Sequence, residues 1–315
     1  MLAGILHIAG VVAVIIVLGV MAPKHTAHFI FAEVTNTSGW SPTSVSWLVG
    51  LLSTVYPFLG YDAACHLAEE LPRPSRNVPI AMVGSVVANG MLGLGACIVL
   101  LFSLGSLDDL LESATGFPFM QLFLNATQDK AGATVLILPV SLIAVAANAA
   151  GCTSTSRTYW ALARDKGTPF SGYFSHVHSS LQVPVRAVVA LTVVEMLLGL
   201  IYLGNSTAFN AILSMAILGM YSSYIIPIAY MALYGRKMLS PSQYGPFQMG
   251  KWGLWINLVA ICFLLVAIVF STFPSVMPVT AQNMNYSIVV MGGWLAFGVL
   301  FFVLFGKKHY RGPVV

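Results

Sequence analysis

Charged residues are scarce in this chain. Asp, Glu, Lys and Arg make up 8% of its 315 residues, whereas hydrophobic residues make up 58% and the mean hydropathy is +0.86. A soluble domain carries about 25% charged residues because its surface must be solvated. So few charges cannot cover this much apolar surface in water. The composition therefore excludes a soluble globular protein and predicts one that lies in a lipid bilayer.

Clustered reactive groups are also lacking. The four cysteines lie in apolar stretches without a CxxC pair, which disfavours a disulfide framework or a zinc site. His176 and His178 have no third ligand nearby in the sequence, and chance explains His66 followed by Glu70. The basic residues are dispersed, which disfavours nucleic-acid binding. No GxxxxGK[ST] or nucleophile motif occurs, so we predict neither an enzyme nor a bound metal or cofactor.

What the chain does contain is a series of long apolar runs. A bilayer core of about 30 Å needs about 20 apolar residues per helical crossing. Runs of this length predict an all-α polytopic membrane protein of about eight transmembrane helices, in a single transmembrane domain over residues 1–315. The predicted spans are 2–22, 47–68, 80–104, 133–156, 186–203, 208–234, 253–273 and 286–306.

The basic residues orient these helices. Lys and Arg concentrate in the cytoplasmic loops of membrane proteins. If the first span runs outwards from the cytoplasm, 12 of the 14 Lys and Arg residues fall inside. The four glycosylation sequons, which must face the lumen to be used, all fall in loops assigned to the outside. They begin at Asn36, Asn125, Asn205 and Asn285. Asn205 lies too near the membrane, so we predict glycosylation at the other three.

The first span has no charged flank on its amino-terminal side. Met1 is followed directly by apolar residues, without the basic leader that a signal peptide carries. The sequence therefore favours a chain that begins partway through a larger protein.

Ionisable residues inside a membrane span are costly and by default indicate function. Asp62 lies in the second span, where Pro57 lacks an amide hydrogen and Gly60 disfavours a helix, so local unwinding is expected. A broken helix exposes amide and carbonyl groups to a solute. Phe58 and Tyr61 could cover an alkylammonium group by cation–π attraction. The alternative is a proline kink in which Asp62 bonds to a neighbouring helix.

Glu195 is the second acidic residue inside a predicted span. It has no obvious partner nearby in the sequence. A role in proton coupling fits this position, but a protonated carboxyl that bonds to a neighbouring helix is favoured.

Two predicted cytoplasmic segments carry opposite charges. Glu69 and Glu70 follow the second span, and the prolines between residues 71 and 79 are expected to prevent a continuous helix. Arg157 and Arg164 follow the fourth span two helical turns apart, so they face the same way. The two segments could form a gate at the inner face. Ordinary anchoring of the helices by positive charge explains the arginines equally well.

These two segments resemble the amino acid–polyamine–organocation superfamily, in particular fungal permeases for amino acids, GABA and choline. The matching stretches are GYDAACHLAEELPRPSRNVPIAM at 60–82, TSTSRTYWALARDKGTPFS at 153–171 and IYLGNSTAFNAILS at 201–214. The resemblance covers essentially the whole chain. It implies a LeuT-type fold of about twelve helices, ten of them in two inverted five-helix repeats. The eight spans would be family helices five to twelve, so the fold would be partial.

The resemblance also assigns residues to a solute site. It places Gly60, Tyr61 and Asp62 at the broken part of the sixth family helix. In the family the first helix is broken in the same way and completes the site, and the sequence lacks counterparts of the first four helices. A short helix near residues 117–123 is expected to cover the site from outside.

The eighth family helix would contribute a further set of residues. It borders the solute or coupling-ion region and would include Asn148 at the solute. Ser154 and Ser156 would supply hydroxyl groups for a coupling ion, although such hydroxyls also bond back to their own helix. Coupling to protons or to sodium is expected, without a choice between them.

Together these features predict a secondary active transporter that imports a small nitrogenous solute across the plasma membrane. Candidate solutes are amino acids, GABA, choline and polyamines. Tyr61 beside Asp62 mildly favours a cationic amine. The alternative is a truncated, non-transporting fragment or a solute sensor of the same family.

Overall fold

The computed structural model describes residues 2–204, 206–240, 243–310 and 312. All regular secondary structure within these residues is helical. The α-helices are α1 (Leu2–Met21), α2 (Ala27–Phe31), α3 (Thr43–Val55), α4 (Ala63–His66), α5 (Pro74–Phe102), α6 (Leu107–Leu111), α7 (Pro118–Thr127), α8 (Lys130–Arg164), α9 (Ser171–Phe174), α10 (Val185–Gly204), α11 (Ser206–Tyr230), α12 (Arg236–Met238), α13 (Gly253–Phe270), α14 (Ser287–Phe301) and α15 (Lys307–His309).

The chain divides into two compact units. The first unit comprises Met1–Thr35 and Val83–Gly151, and the second comprises Asn36–Met82 and Cys152–Val315. Helices α5 and α8 each continue from one unit into the other along the chain.

In the first unit, α1 and α7 pack around a shared apolar core. Leu18 of α1, Leu110 of α6, Leu122 and Phe123 of α7 and Leu136 of α8 are buried together. Helix α7 corresponds to the short helix that the sequence predicts near residues 117–123, so this helix is confirmed. Its role as an outer cover stays a prediction.

In the second unit, α11 packs against α10, α13 and α14, and α13 also packs against α3. The core between them contains Val55, Ile217, Tyr221, Leu264 and Ala267, all of which are buried. Because Val55 is the last residue of α3, this core holds the end of that helix beside α11 and α13. The second predicted span is therefore interrupted directly after a residue that is packed in this core, Val55.

Six helices of the described residues are long and apolar enough to cross a membrane. They are Ala3–Met21, Pro74–Phe102, Lys130–Arg164, Ala211–Met238, Gly250–Phe270 and Ser287–His309. They match the first, third, fourth, sixth, seventh and eighth predicted spans. The fifth predicted span is helical as α10, and the second is interrupted. An all-α polytopic membrane protein is thus confirmed, whereas the number of eight crossings stays a prediction.

The cytoplasmic segment after the second span differs from the prediction. The prolines were expected to prevent a continuous helix up to residue 79, but α5 begins at Pro74 and runs through Pro79. A proline is favoured at the first helical position because its missing amide hydrogen has no intrahelical acceptor there. Pro79 lies in the second turn, so it removes one backbone hydrogen bond near the helix end rather than breaking the helix. The non-helical part of this cytoplasmic segment is therefore limited to residues 71–73, between the 3₁₀ turn at Ala68–Glu70 and α5.

Candidate functional site

The second predicted span is broken at its centre. Helix α3 ends at Val55, a single 3₁₀ turn covers Tyr56–Phe58, and α4 begins only at Ala63. Gly60, in the gap, has a φ of +90°, a conformation that residues with a Cβ rarely adopt. The unwinding that Pro57 and Gly60 predict is therefore confirmed.

Asp62 lies at the end of this break and is held from two directions. Its Oδ2 accepts a hydrogen bond from the Tyr224 hydroxyl at 2.7 Å and another from His66 Nε2 at 3.0 Å. The Asp62 side chain is only 14% exposed. Its other oxygen, Oδ1, accepts no hydrogen bond from the described residues. The bond from Tyr224 of α11 is the contact with a neighbouring helix that the alternative interpretation expects. A role of Asp62 in solute binding stays a prediction.

Two aromatic side chains flank this carboxylate. The rings of Tyr61 and Tyr224 lie 6.0 Å apart, and the Tyr224 hydroxyl is the group bonded to Asp62. Phe58 lies half-buried in the 3₁₀ turn. Tyr61 thus lies beside Tyr224, the residue that contacts Asp62, and binding of a solute by Tyr61, Asp62 or Phe58 stays a prediction.

Tyr224 was missed by the sequence analysis. It lies on α11, 162 residues from Asp62 in the chain, and no local pattern distinguishes it from other tyrosines in apolar spans. His66 carried a signal that was misread. Its spacing from Glu70 suggested a chance helical turn, but its four-residue spacing from Asp62 is the one that forms a contact.

Two ion pairs join the predicted cytoplasmic segments. Arg157 Nε lies 2.5 Å from Glu70 Oε1, and the Arg157 side chain is 15% exposed. Arg164 Nη1 lies 3.5 Å from Glu69 Oε1 and is more exposed. The pairing that the opposite charges predict is therefore present. A gating role for these pairs stays a prediction.

A cavity of about 240 Å³ lies beside these ion pairs. Glu70 and Arg157 line it together with Cys65, His66 and Trp160. His66 therefore contacts Asp62 and also borders the cavity next to the ion pair.

A second cavity, of about 450 Å³, lies at the predicted outer end of the same unit. Ser53 and Tyr56 from the broken span line it, with Thr207 and Ser214 of α11 and Asn283 of the loop before α14. The lining mixes these polar residues with apolar ones such as Leu52 and Leu213 and contains no charged side chain.

The residues predicted on the eighth family helix are not brought together as one set. Asn148 is exposed and lies in the first unit, whereas Ser154 and Ser156 are buried in the second. Ser156 Oγ donates to the Thr153 carbonyl at 2.9 Å, as the alternative of bonding to its own helix expects. Glu195 is exposed on α10. Roles of these residues in solute or ion binding stay predictions.

The predicted glycosylation sites differ in environment. Asn36 is exposed, whereas Asn125 is half-buried within α7 and accepts a hydrogen bond from Gln121 at 2.8 Å. Asn205 lies outside the described residues. Asn36 is exposed, but its Nδ2 donates to the Trp40 carbonyl at 2.8 Å, so glycosylation there stays a prediction.

Asn285 has a structural contact that competes with glycosylation. Its Nδ2 donates to the Ser271 carbonyl at 2.7 Å and to the Phe273 carbonyl at 3.2 Å, just after the end of α13. Its Oδ1 accepts from the amide of Ser287, the first residue of α14. Asn285 thus connects the ends of two helices. A glycan on Nδ2 would replace one of the two hydrogens that it donates.

Comparison with known proteins identifies the chain's relatives. A family model described as amino acid permease matches residues 1–294. The choline transporter of Saccharomyces cerevisiae is 34% identical over 285 residues, covering 90% of this chain and 50% of that protein. An uncharacterized amino-acid permease of Schizosaccharomyces pombe is 34% identical over 312 residues, covering 98% and 56%. Amino-acid permease 2 of Neurospora crassa is 33% identical over 294 residues, covering 92% and 52%.

The chain spans about half the length of these curated relatives. The family match extends through both units and includes the broken span, Asp62 and the two ion pairs. The chain therefore belongs to the amino acid permease family, within the amino acid–polyamine–organocation superfamily.

Proposed function

We propose that the protein carrying this chain is a secondary active transporter for a small nitrogenous solute at the plasma membrane. The solute is an amino acid or a related amine such as choline, GABA or a polyamine. One observation carries the proposal: Asp62, at the break of the second predicted span, is bonded through Oδ2 to Tyr224 and His66, whereas its Oδ1 accepts no hydrogen bond from the described residues. A carboxylate within a membrane span is costly unless an opposite charge balances it. The ammonium group of a solute would supply that charge.

The aromatic rings beside Asp62 favour a cationic amine. A cation within about 6 Å of a tyrosine ring is attracted by the negative face of the ring. The Tyr224 hydroxyl contacts the carboxylate that would pair with this cation, and the Tyr61 ring lies 6.0 Å from the Tyr224 ring. The relative named as a choline transporter supports this choice. The relatives named as amino-acid permeases keep amino acids within the proposal.

Amino acids and GABA also carry a carboxylate, which needs hydrogen-bond donors. The backbone amides of Gly60 and Tyr61 make no backbone hydrogen bond within the described part of the chain. Amides left without an intrahelical acceptor at a helix break are suitable donors to an anionic group. The same break therefore offers Asp62 to the amine and two amides to the carboxylate.

We further propose that the ion pairs Glu70–Arg157 and Glu69–Arg164 close the cytoplasmic side in an alternating-access cycle. The proposal is supported by their position next to the cavity that His66 borders. Breaking the pairs would let water and solute reach the broken span from inside.

The remaining predicted residues belong to the same proposal. Asn148 would contribute to solute binding, and Ser154, Ser156 or Glu195 to coupling with protons or sodium. Burial of the two serines supports a site shielded from bulk water.

Uptake measurements test the proposal. The full-length protein is expressed in a yeast strain that lacks its own permeases, and entry of labelled choline, GABA and amino acids is measured. Asp62→Asn removes the charge and preserves the shape, so we expect apparent affinity for the transported solute to fall about 10- to 100-fold, from the 1.5–3 kcal/mol typical of hydrogen bonds to charged groups.

Glu33→Gln is the matched control, because Glu33 is an exposed acid in a predicted outer loop. It should transport as the wild type does. Normal kinetics in Asp62→Asn would remove Asp62 from the site. Absence of uptake of every solute, with the protein present at the cell surface, would refute the proposed transport function.

A further inference from the structure

His66 is an ionisable side chain in direct contact with Asp62, the carboxylate that we propose binds the solute. Its Nε2 lies 3.0 Å from Asp62 Oδ2, and its side chain is 33% exposed. Because an ionised carboxylate only accepts hydrogen bonds, Nε2 must carry the hydrogen in this contact. The ring also borders the cavity that contains Glu70 and Arg157. A proton from water in this cavity can therefore reach the imidazole.

The charge of His66 decides the net charge that a solute meets. A neutral imidazole donates its hydrogen to Asp62 and leaves the pair with one negative charge. A protonated imidazole forms an ion pair with Asp62, and the net charge of the two side chains is zero. An opposite charge within about 4–6 Å stabilises the ionised form of a carboxylate. A solute cation at Oδ1 is therefore fully attracted only when His66 is neutral.

The other ionisable groups around Asp62 and His66 are not of types that usually change charge near neutral pH. Histidine is the side-chain type that usually changes charge between about pH 5 and 8, whereas acids, cysteine, tyrosine and arginine usually titrate outside that interval. The positive charge of Arg157 is already paired with Glu70. Among the described residues, the groups around Asp62 and His66 are Cys65, Tyr61, Tyr224, Glu69, Glu70 and Arg157.

We propose that His66 is a built-in competitor of the solute cation at Asp62. When protonated, it takes the place of the solute's ammonium group as the counter-charge of the carboxylate. His66 thereby makes the affinity for cationic amines dependent on pH, with tight binding at neutral pH and weak binding at acidic pH. This inference rests on the proposed function of Asp62 and adds a residue that determines its specificity.

Equilibrium binding of labelled choline tests the inference. The purified full-length protein in detergent is used, so that no ion gradient contributes, and the quaternary ammonium of choline carries no proton that could titrate. Between about pH 7.5 and 5.5 the wild-type Kd should rise at least about threefold, because histidine is the side-chain type that usually gains a proton in this interval. His66→Asn should bind at both pH values about as tightly as the wild type at pH 7.5.

Two further variants sharpen the test. His66→Arg carries a permanent positive charge and should bind choline at least tenfold more weakly than His66→Asn at both pH values. His176→Asn is the matched control, because His176 is an exposed histidine in a predicted cytoplasmic segment. It should retain the full pH dependence of the wild type. Gel filtration of each variant checks that it is folded.

Several results would overturn the inference. A wild-type Kd that does not change with pH contradicts it directly, as does a His66→Asn protein with an unchanged pH dependence. Equal affinities of the Asn and Arg variants would show that the charge at this position has no influence. Absence of choline binding by the wild type at every pH would refute Asp62 as a cation site, and the inference would fail with it.

Discussion

The Glu70–Arg157 ion pair allows a quantitative test of the proposed cytoplasmic gate. Arg157→Ala removes a contact of 2.5 Å between a largely buried guanidinium and a carboxylate that is 55% exposed. Exposed ion pairs contribute about 0.2–1 kcal/mol, and hydrogen bonds to charged groups about 1.5–3 kcal/mol. Because one partner is buried and the other is half exposed, we expect a loss of about 1 kcal/mol. If the pair exists only in the closed state, this loss raises the open population about fivefold.

Labelling of Cys65 measures that population. Cys65 lines the same cavity as Glu70 and Arg157, so its thiol should react with a hydrophilic maleimide mainly when the cavity opens. The other three cysteines are replaced by serine, and the reagent is added from the cytoplasmic side of inside-out vesicles. We expect Arg157→Ala to be labelled about five times faster than the parent protein.

The second ion pair of the proposed gate provides a graded comparison. Arg164 and Glu69 are 3.5 Å apart, with side chains 40% and 71% exposed, so their pairing is weakened by solvent. Arg164→Ala should therefore change the labelling rate by less than about twofold. The charge-exchanged protein Glu70→Arg with Arg157→Glu should recover the slow rate of the parent. An unchanged rate in Arg157→Ala, or no recovery in the exchanged protein, would refute the gate and leave Arg157 as a topological anchor.

Three further predictions concern the break, a helix connection and the topology. Gly60→Ala should destabilise the protein by about 1–2 kcal/mol in thermal unfolding, because φ at Gly60 is +90°, whereas Gly50→Ala within α3 meets no atom within 4 Å and should be neutral or stabilising. Equal effects of the two substitutions would contradict this reasoning. Asn285→Ala should cost about 1–2 kcal/mol, because two carbonyls at the end of α13 lose their donor. An unchanged unfolding temperature would show that these hydrogen bonds are dispensable. Asn36→Gln should abolish a mobility shift on endoglycosidase treatment, and its persistence would mean that another site carries the glycan.

Much of the fold was predictable from local chemistry. Long apolar runs identify the membrane helices, because the length of a helical crossing is set by the bilayer and not by the rest of the protein. The break at Gly60 was predictable for a similar reason, since Pro57 and Gly60 act on their own backbone. The proline-rich segment was less predictable. Proline is tolerated in the first turn of a helix, and the sequence does not mark Pro74 as the first residue of α5.

The candidate site was predictable only in part. Asp62 could be identified because an acid within an apolar run is costly wherever it lies. The pairing of Glu70 with Arg157 could be proposed because opposite charges occur in two segments on the same predicted side. Ser156, in contrast, could serve an ion or its own helix, and only its contact with the Thr153 carbonyl shows where its hydroxyl points.

The sequence alone determined that this is a polytopic membrane protein, which span is broken and which acid lies at the break. These properties depend on residues close together in the chain. Only the tertiary structure decided what Asp62 contacts. It pairs Asp62 with Tyr224, 162 residues away. This contact depends on how α11 packs against the end of α3, and no local pattern of residues encodes that packing.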